Sequence, residues 1–204
     1  MKFSHIQILR LIAFFIFICL PYCIFAQLND KTIYDLKSGR IKNDSSYIYR
    51  LPYQDGKSIF LVQAYNSNMS HKNEFSLDFK MKPDTKICAA RNGVVIAIKE
   101  DSNEGGLKDE YLSKGNYIII QHNDGSKAMY WHLRQNGVLV NAGDTVQCGQ
   151  MIGYSGNTGY TAFPHLHFQV KNKNGKEIAI RFATRKGVIY LRPAHWYKAI
   201  TPTD

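Results

Sequence analysis

The sequence predicts a mainly β protein: a compact antiparallel β-sheet domain whose long loops border a groove. Three observations carry this. Short segments dense in Val, Ile, Tyr and Phe recur from Tyr49 onward, and such residues fit the pleated, half-buried surface of a strand. Gly, Asn and Asp punctuate those segments, supplying the backbone conformations that turns demand. No segment sustains a long helical apolar period, and there is neither an internal repeat nor a low-complexity tract. A length of 204 residues suits one domain with a short extension.

The extension comes first. Residues 1–10 carry Lys2 and Arg10 and no acid, an apolar run from Leu11 to Leu20 follows, and Pro21 breaks it. Basic head, apolar middle and break are the layout of a secretory signal peptide, and the run is too short for a spanning helix. Residues 1–26 are therefore expected to be removed after Ala26, leaving no stable membrane span. Lipidation at Cys23 is the alternative, but Leu20-Pro21-Tyr22 lacks the small residues expected before a lipidated cysteine. Export places the protein in the periplasm or outside the cell. Loss of Lys2 and Arg10 lowers the formal charge from +10 to +8. A basic surface suits an anionic polymer, and export argues against nucleic acid as its partner. Cys88 and Cys148 remain after cleavage; export permits a disulfide, but both lie in short apolar segments where a buried free thiol is the ordinary state. Residues 27–48 are polar and read as a loosely structured lead-in to a domain over 49–204.

Within that domain the expected strands are Ser58–Tyr65, Ser76–Phe79, Lys86–Ala90, Val94–Lys99, Tyr117–His122, Lys127–Leu133 and His165–Lys171. Asn123-Asp124-Gly125-Ser126 joins two of them as a hairpin turn. Glu100–Gly115 is a sixteen-residue polar insertion. Loops of that length are often groove walls or lids, although a solvated excursion fits equally.

The histidines suggest chemistry. On a strand, alternate side chains share a face, so in Pro164-His165-Leu166-His167-Phe168 the two imidazoles point one way, about 7 Å apart at Cα, and Leu166 and Phe168 the other. His71 precedes the strand holding Asp78, whose apolar neighbours leave a carboxylate in need of a partner or cation. Zinc accepts both donor types, and a catalytic zinc keeps three protein ligands and an open position. In Tyr130-Trp131-His132-Leu133, alternation places His132 with Ala128 and Tyr130, and Met129, Trp131 and Leu133 opposite; His132 by itself reads as a core histidine.

Taken together, His71, Asp78, Tyr130-Trp131-His132-Leu133, Gly153-Tyr154-Ser155-Gly156-Asn157-Thr158-Gly159 and Pro164-His165-Leu166-His167-Phe168 resemble the lysostaphin-type zinc endopeptidases in motif and order, over about Tyr49 to Tyr190. The resemblance implies the β domain of that family and a Zn2+ ion held by His71, Asp78 and His167. It also implies two catalytic, non-ligand histidines, His132 and His165, and an oxyanion-stabilising tyrosine at Tyr65. The implied activity is hydrolysis of stem or cross-bridge peptides in peptidoglycan. A non-catalytic wall-binding regulator of another hydrolase is the alternative, and retention of all five metal and histidine positions favours the enzyme. The family commonly places its first histidine and aspartate four apart; here they are seven apart, so the intervening loop must fold back. Glu74 lies in that gap as a bystander or substitute ligand. Phe163 replaces a small residue and Gln169 a frequent glutamate.

Overall fold

The computed structural model describes residues 31–43 and 47–200. The expected export segment, with Cys23 and Ala26, lies outside the described residues. The lead-in differs from expectation where it is described. Residues 31–37 are helical, and Ile33 and Leu36 are buried in the same core as the strands. Packing of that apolar pair, rather than propensity, orders a segment that is otherwise polar.

Fifteen strands follow among the described residues. They are β1 (Ile48–Tyr49), β2 (Ser58–Gln63), β3 (Ser76–Lys80), β4 (Lys86–Cys88), β5 (Gly93–Lys99), β6 (Gly105–Gly106), β7 (Asn116–Gln121) and β8 (Lys127–Val138). After these come β9 (Thr145–Val146), β10 (Met151–Ser155), β11 (Gly159–Tyr160), β12 (His165–Lys171), β13 (Arg181–Thr184), β14 (Gly187–Ile189) and β15 (His195–Lys198). All seven predicted strands are present, with ends shifted by a few residues. The unforeseen ones are two- to five-residue pieces and the C-terminal strands, too short or too broken by glycine to give an alternating signal.

The main sheet runs β15-β2-β3-β12-β8-β7-β5-β9, with β10 joined to β8 and β4. Its pairings are antiparallel. One face covers the core. Leu77 and Phe79 of β3, Leu166 and Phe168 of β12 and Tyr130 of β8 are at most 1% exposed and pack with Tyr53 and Phe182. The opposite face of β3 and β12 carries polar residues in matched rungs. Ser76 opposes Gln169, Asp78 opposes His167, and Lys80 opposes His165. Alternation within each strand thus delivers the candidate ligands to one face while burying their neighbours.

The hairpin forms as expected. Gln121 pairs with Lys127, Ser126 O accepts from His122 N at 2.8 Å, and Gly125 takes φ 80°. Cys88 is buried, Cys148 is exposed, and both are free thiols.

His122 gives this hairpin a pH dependence. Its ring is 2% exposed, its Nδ1 lies 2.8 Å from Asn92 O, and burial, with the Arg91 charge adding, pushes its pKa down to about 4. The folded state therefore holds it neutral while the unfolded chain protonates near pH 6.5. Its contribution to stability is present above pH 6.5 and is lost as pH falls toward 4. On moving from pH 7 to pH 4.5, wild type is expected to lose ~2 kcal/mol more unfolding free energy than His122→Gln. Denaturant unfolding at both pH values measures the difference.

Candidate metal centre

Asp78 is the hub of the polar face. Its Oδ2 lies 3.1 Å from His71 Nε2 and accepts from Gln63 Nε2 at 2.7 Å. Its Oδ1 lies 2.9 Å from His167 Nδ1 and 3.6 Å from His165 Nε2. Burial alone would raise this carboxyl, but the hydrogen bonds of His167 and His71, with the charges of His167 and His165 adding, hold it well below the usual carboxylate range. Burial opposes protonation of His71, and the Asp78 contact overcomes it and raises the pKa.

His71 reaches this point because its loop folds back. Asn66 N donates to Glu74 O at 2.8 Å and Glu74 N to His71 O at 2.9 Å. Asn66 and Asn73 adopt φ of 55° and 63°, a left-handed conformation that asparagine tolerates better than most residues. Ser70 is held from β2, its N and Oγ 3.3 Å from Gln63 Oε1. The seven-residue separation is thereby closed. Glu74 lines the cleft but belongs to neither trio of side chains whose ligand atoms lie within 4.8 Å of one another.

His132 arrives by a route that simple alternation does not give. Trp131 opposes Tyr117, and Leu133 opposes Asn116, its immediate neighbour, so His132 is an extra residue in β8. Its φ is 64°. This bulge resets the parity of the strand. Met129, Trp131 and His132 all line the cleft, while Leu133 turns into the core. The expectation that His132 shares a face with buried Tyr130, and Leu133 with Trp131, is thus corrected.

The two remaining imidazoles are held alike. His132 Nδ1 is 2.7 Å from Thr158 O, and His165 Nδ1 is 2.8 Å from Phe163 O. A carbonyl only accepts, so each Nδ1 carries the proton and each neutral ring keeps its lone pair at Nε2. Their ring centroids are 4.6 Å apart. Burial first, then the neighbouring His165 and His167, pushes His132 down to about 3. Burial likewise lowers His165. Both are proton acceptors at neutral pH.

The glycine-rich turn makes the Thr158 carbonyl available. Thr158 Oγ1 donates to Leu133 O at 2.7 Å and accepts from Asn116 N at 3.0 Å. Gly159 has φ 86°, and a Cβ there would come within 2.6 Å of Gly115 Cα, so a side chain would force the turn away from the backbone that leads into β7. The Glu100–Gly115 insertion supports this turn. β6 pairs with β11 in parallel, Asp109–Lys114 forms a 3-10 helix, and Leu107 lines the cleft. The insertion thus gives the cleft one border residue, Leu107, and buttresses the glycine-rich turn with the rest.

Tyr65 is not in the cleft. Its hydroxyl donates to Ile180 O at 3.0 Å and accepts from Ile180 N at 3.1 Å, and its ring is 1% exposed against Phe75. Both hydroxyl functions are spent on the backbone, so the oxyanion role expected for Tyr65 is replaced by a packing role. Sequence reasoning missed Gln63, whose contact with Asp78 follows from a β2–β3 register that no local pattern encodes.

The cleft encloses about 640 Å3. Two trios there have ligand atoms mutually within 4.8 Å: His71, Asp78 and His167, and His132, His165 and His167. The first contains a buried carboxylate that offsets part of a dication's charge and fits a divalent metal. The second consists of imidazoles alone. A buried acid and imidazoles on the open face of a β sheet are the making of a metal-dependent hydrolase site. A family model described as peptidase family M23 matches residues 72–180, more than half of the chain, and the chain belongs to that family. The match includes Asp78, His132, His165 and His167 and begins one residue after His71. Membership implies a metal centre.

Lysostaphin of Staphylococcus simulans is 41% identical over 96 residues, 47% of this chain and 17% of that protein. Peptidoglycan DD-endopeptidase ShyA of Vibrio cholerae is 36% identical over 93 residues, 46% of this chain and 19% of that protein. The chain thus spans about a fifth of the length of these curated relatives. The solved structure of the M23 metalloprotease pseudoalterin from the deep sea shares the fold, with TM-score 0.52 and 19% identity over 78% of this chain and 99% of that one.

Proposed function

We propose that the chain is an exported zinc-dependent endopeptidase hydrolysing peptide bonds in peptidoglycan stem or cross-bridge peptides. The observation that carries this is the meeting of five side chains from four parts of the chain in one cleft, with two imidazoles offering Nε2 beside the Asp78 centre. His71, Asp78 and His167 would hold the ion. Bound zinc would polarise the scissile carbonyl and acidify a water.

The remaining work falls to His165 and His132. The Thr158 and Phe163 carbonyls fix both rings, so no rotation is needed before proton transfer. His165 Nε2 stands 3.6 Å from Asp78 Oδ1, and a carboxylate nearby stabilises an imidazolium. His165 is therefore assigned as the base that takes the water's proton and returns one to the leaving amine. His132, whose Nε2 lone pair is likewise free, accepts a hydrogen bond from the water and orients it toward the carbonyl. Leu107, Trp131 and Tyr160 border the cleft with apolar surface. Among the described residues no helix is long and apolar enough to cross a membrane.

The purified chain is expected to release soluble peptide fragments from purified sacculi, to stop when a chelator removes the metal, and to resume when zinc is restored. Binding to several wall types with no release from any would instead favour the non-catalytic regulator.

A further inference from the structure

A second groove opens beside the metal cleft. It encloses about 1080 Å3, and Phe163 lines both. One rung of the sheet connects them. Trp196 of β15 opposes Phe60 of β2, Phe60 opposes Lys80 of β3, and Lys80 opposes His165 of β12. Directly opposed residues in antiparallel strands share a face, so the row runs from His165 to the sheet edge. Three strand spacings of ~4.8 Å place Trp196 about 14 Å from His165.

The chemistry of this groove is not that of the cleft. Trp196 is 68% exposed and leans on Phe60 with ring centroids 5.5 Å apart and planes at 54°. The Phe60 contact braces an indole whose other surface is open to solvent. Lys57, Lys80, Lys82 and Lys86 line the same groove and are exposed, and none has an ion-pair partner among the described residues. The one acid there, Asp84, is 2.9 Å from Arg134 Nε. A flat aromatic step flanked by unpaired ammonium groups matches a ligand with apolar ring faces and carboxylates. The C–H face of a sugar ring stacks on the electron-rich face of indole, and lysines meet carboxylates as point charges. Small stem-peptide side chains offer no such flat face.

We infer that this groove binds the glycan strand that bears the scissile peptide, with a sugar ring on Trp196 and carboxylates of attached peptide arms on the lysines. The inference rests on the proposed peptidoglycan reading for its choice of polymer and adds a saccharide subsite to it. Continuity through Phe163 and the Lys80–His165 rung supports a single ligand spanning both grooves.

The test compares two probes on the full zinc-loaded chain: an uncross-linked disaccharide-peptide from muramidase-digested walls, and the same peptide freed of sugar by amidase. Binding is followed by calorimetry and tryptophan fluorescence. The saccharide form is expected to bind roughly tenfold more tightly, about the worth of one aromatic stacking contact. Trp196→Ala should remove that difference, Trp196→Phe should keep most of it, and Lys57→Gln with Lys86→Gln should weaken the salt dependence. Trp196→Ala should leave cleavage of a sugar-free cross-linked peptide unchanged. Equal affinity for the two probes, or an undiminished difference in Trp196→Ala, overturns the inference. Sugar-dependent binding without release from cross-linked walls would leave this subsite standing and remove the peptidase reading; cleavage with equal binding would do the reverse.

Discussion

Asp78→Ala is expected to empty the metal centre, taking zinc from about one ion per chain to near zero and wall hydrolysis with it. The expectation follows from charge. Asp78 is the only acid in either trio of candidate ligands, and a dication bound by neutral imidazoles alone in a buried site keeps its full charge where water cannot screen it. Its two oxygens also set the positions of His71, His167 and Gln63, so the substitution removes one ligand and loosens two. Losing a group that only hydrogen-bonds a metal ligand already costs ~10–100-fold in metal affinity, and losing the anionic ligand exceeds that. Elemental analysis of the dialysed protein provides the measurement. His132→Ala provides the contrast: it is expected to retain the ion, because His132 belongs to the other trio. Metal lost from His132→Ala and kept by Asp78→Ala would transfer the centre to His132, His165 and His167.

His165→Ala should leave zinc content and unfolding nearly unchanged while lowering release from sacculi by ~10²–10⁴-fold, the usual worth of a positioned general base. Its structural cost is small. The Phe163 carbonyl it releases still has the Thr161 hydroxyl at 2.8 Å, so no buried acceptor is orphaned. The ring is 6% exposed, and its removal opens space on the cleft side, where water enters. A combined loss of metal and activity would make His165 a ligand instead, and intact activity would pass the base to His132. Measuring the metal and the rate on the same preparation separates these outcomes.

What could be read from the sequence was local and periodic. His165, His167 and Asp78 were legible because a strand repeats every two residues, so the residues that bury Leu166, Phe168, Leu77 and Phe79 must turn the others outward. The hairpin at residues 123–126 was legible from its turn chemistry. Both readings depend on neighbours a few positions away, which a sequence displays directly.

Tertiary structure decided whatever depends on pairing between distant segments. His132 faces the cleft only because a bulge at φ 64° reverses strand parity, and the Thr158 carbonyl, 26 residues away, bonds the ring there. Tyr65 stands near the motif in sequence, yet Ile180, 115 residues on, claims its hydroxyl. His71 and Asp78 converge because Asn66 and Asn73 turn the chain back, and Trp196 joins a rung with His165 through two intervening strands. Side-chain direction along one strand follows from its own backbone geometry. Register, bulges and the partner of a buried hydroxyl are set by which strands meet, and that is fixed only when the whole sheet packs over its core.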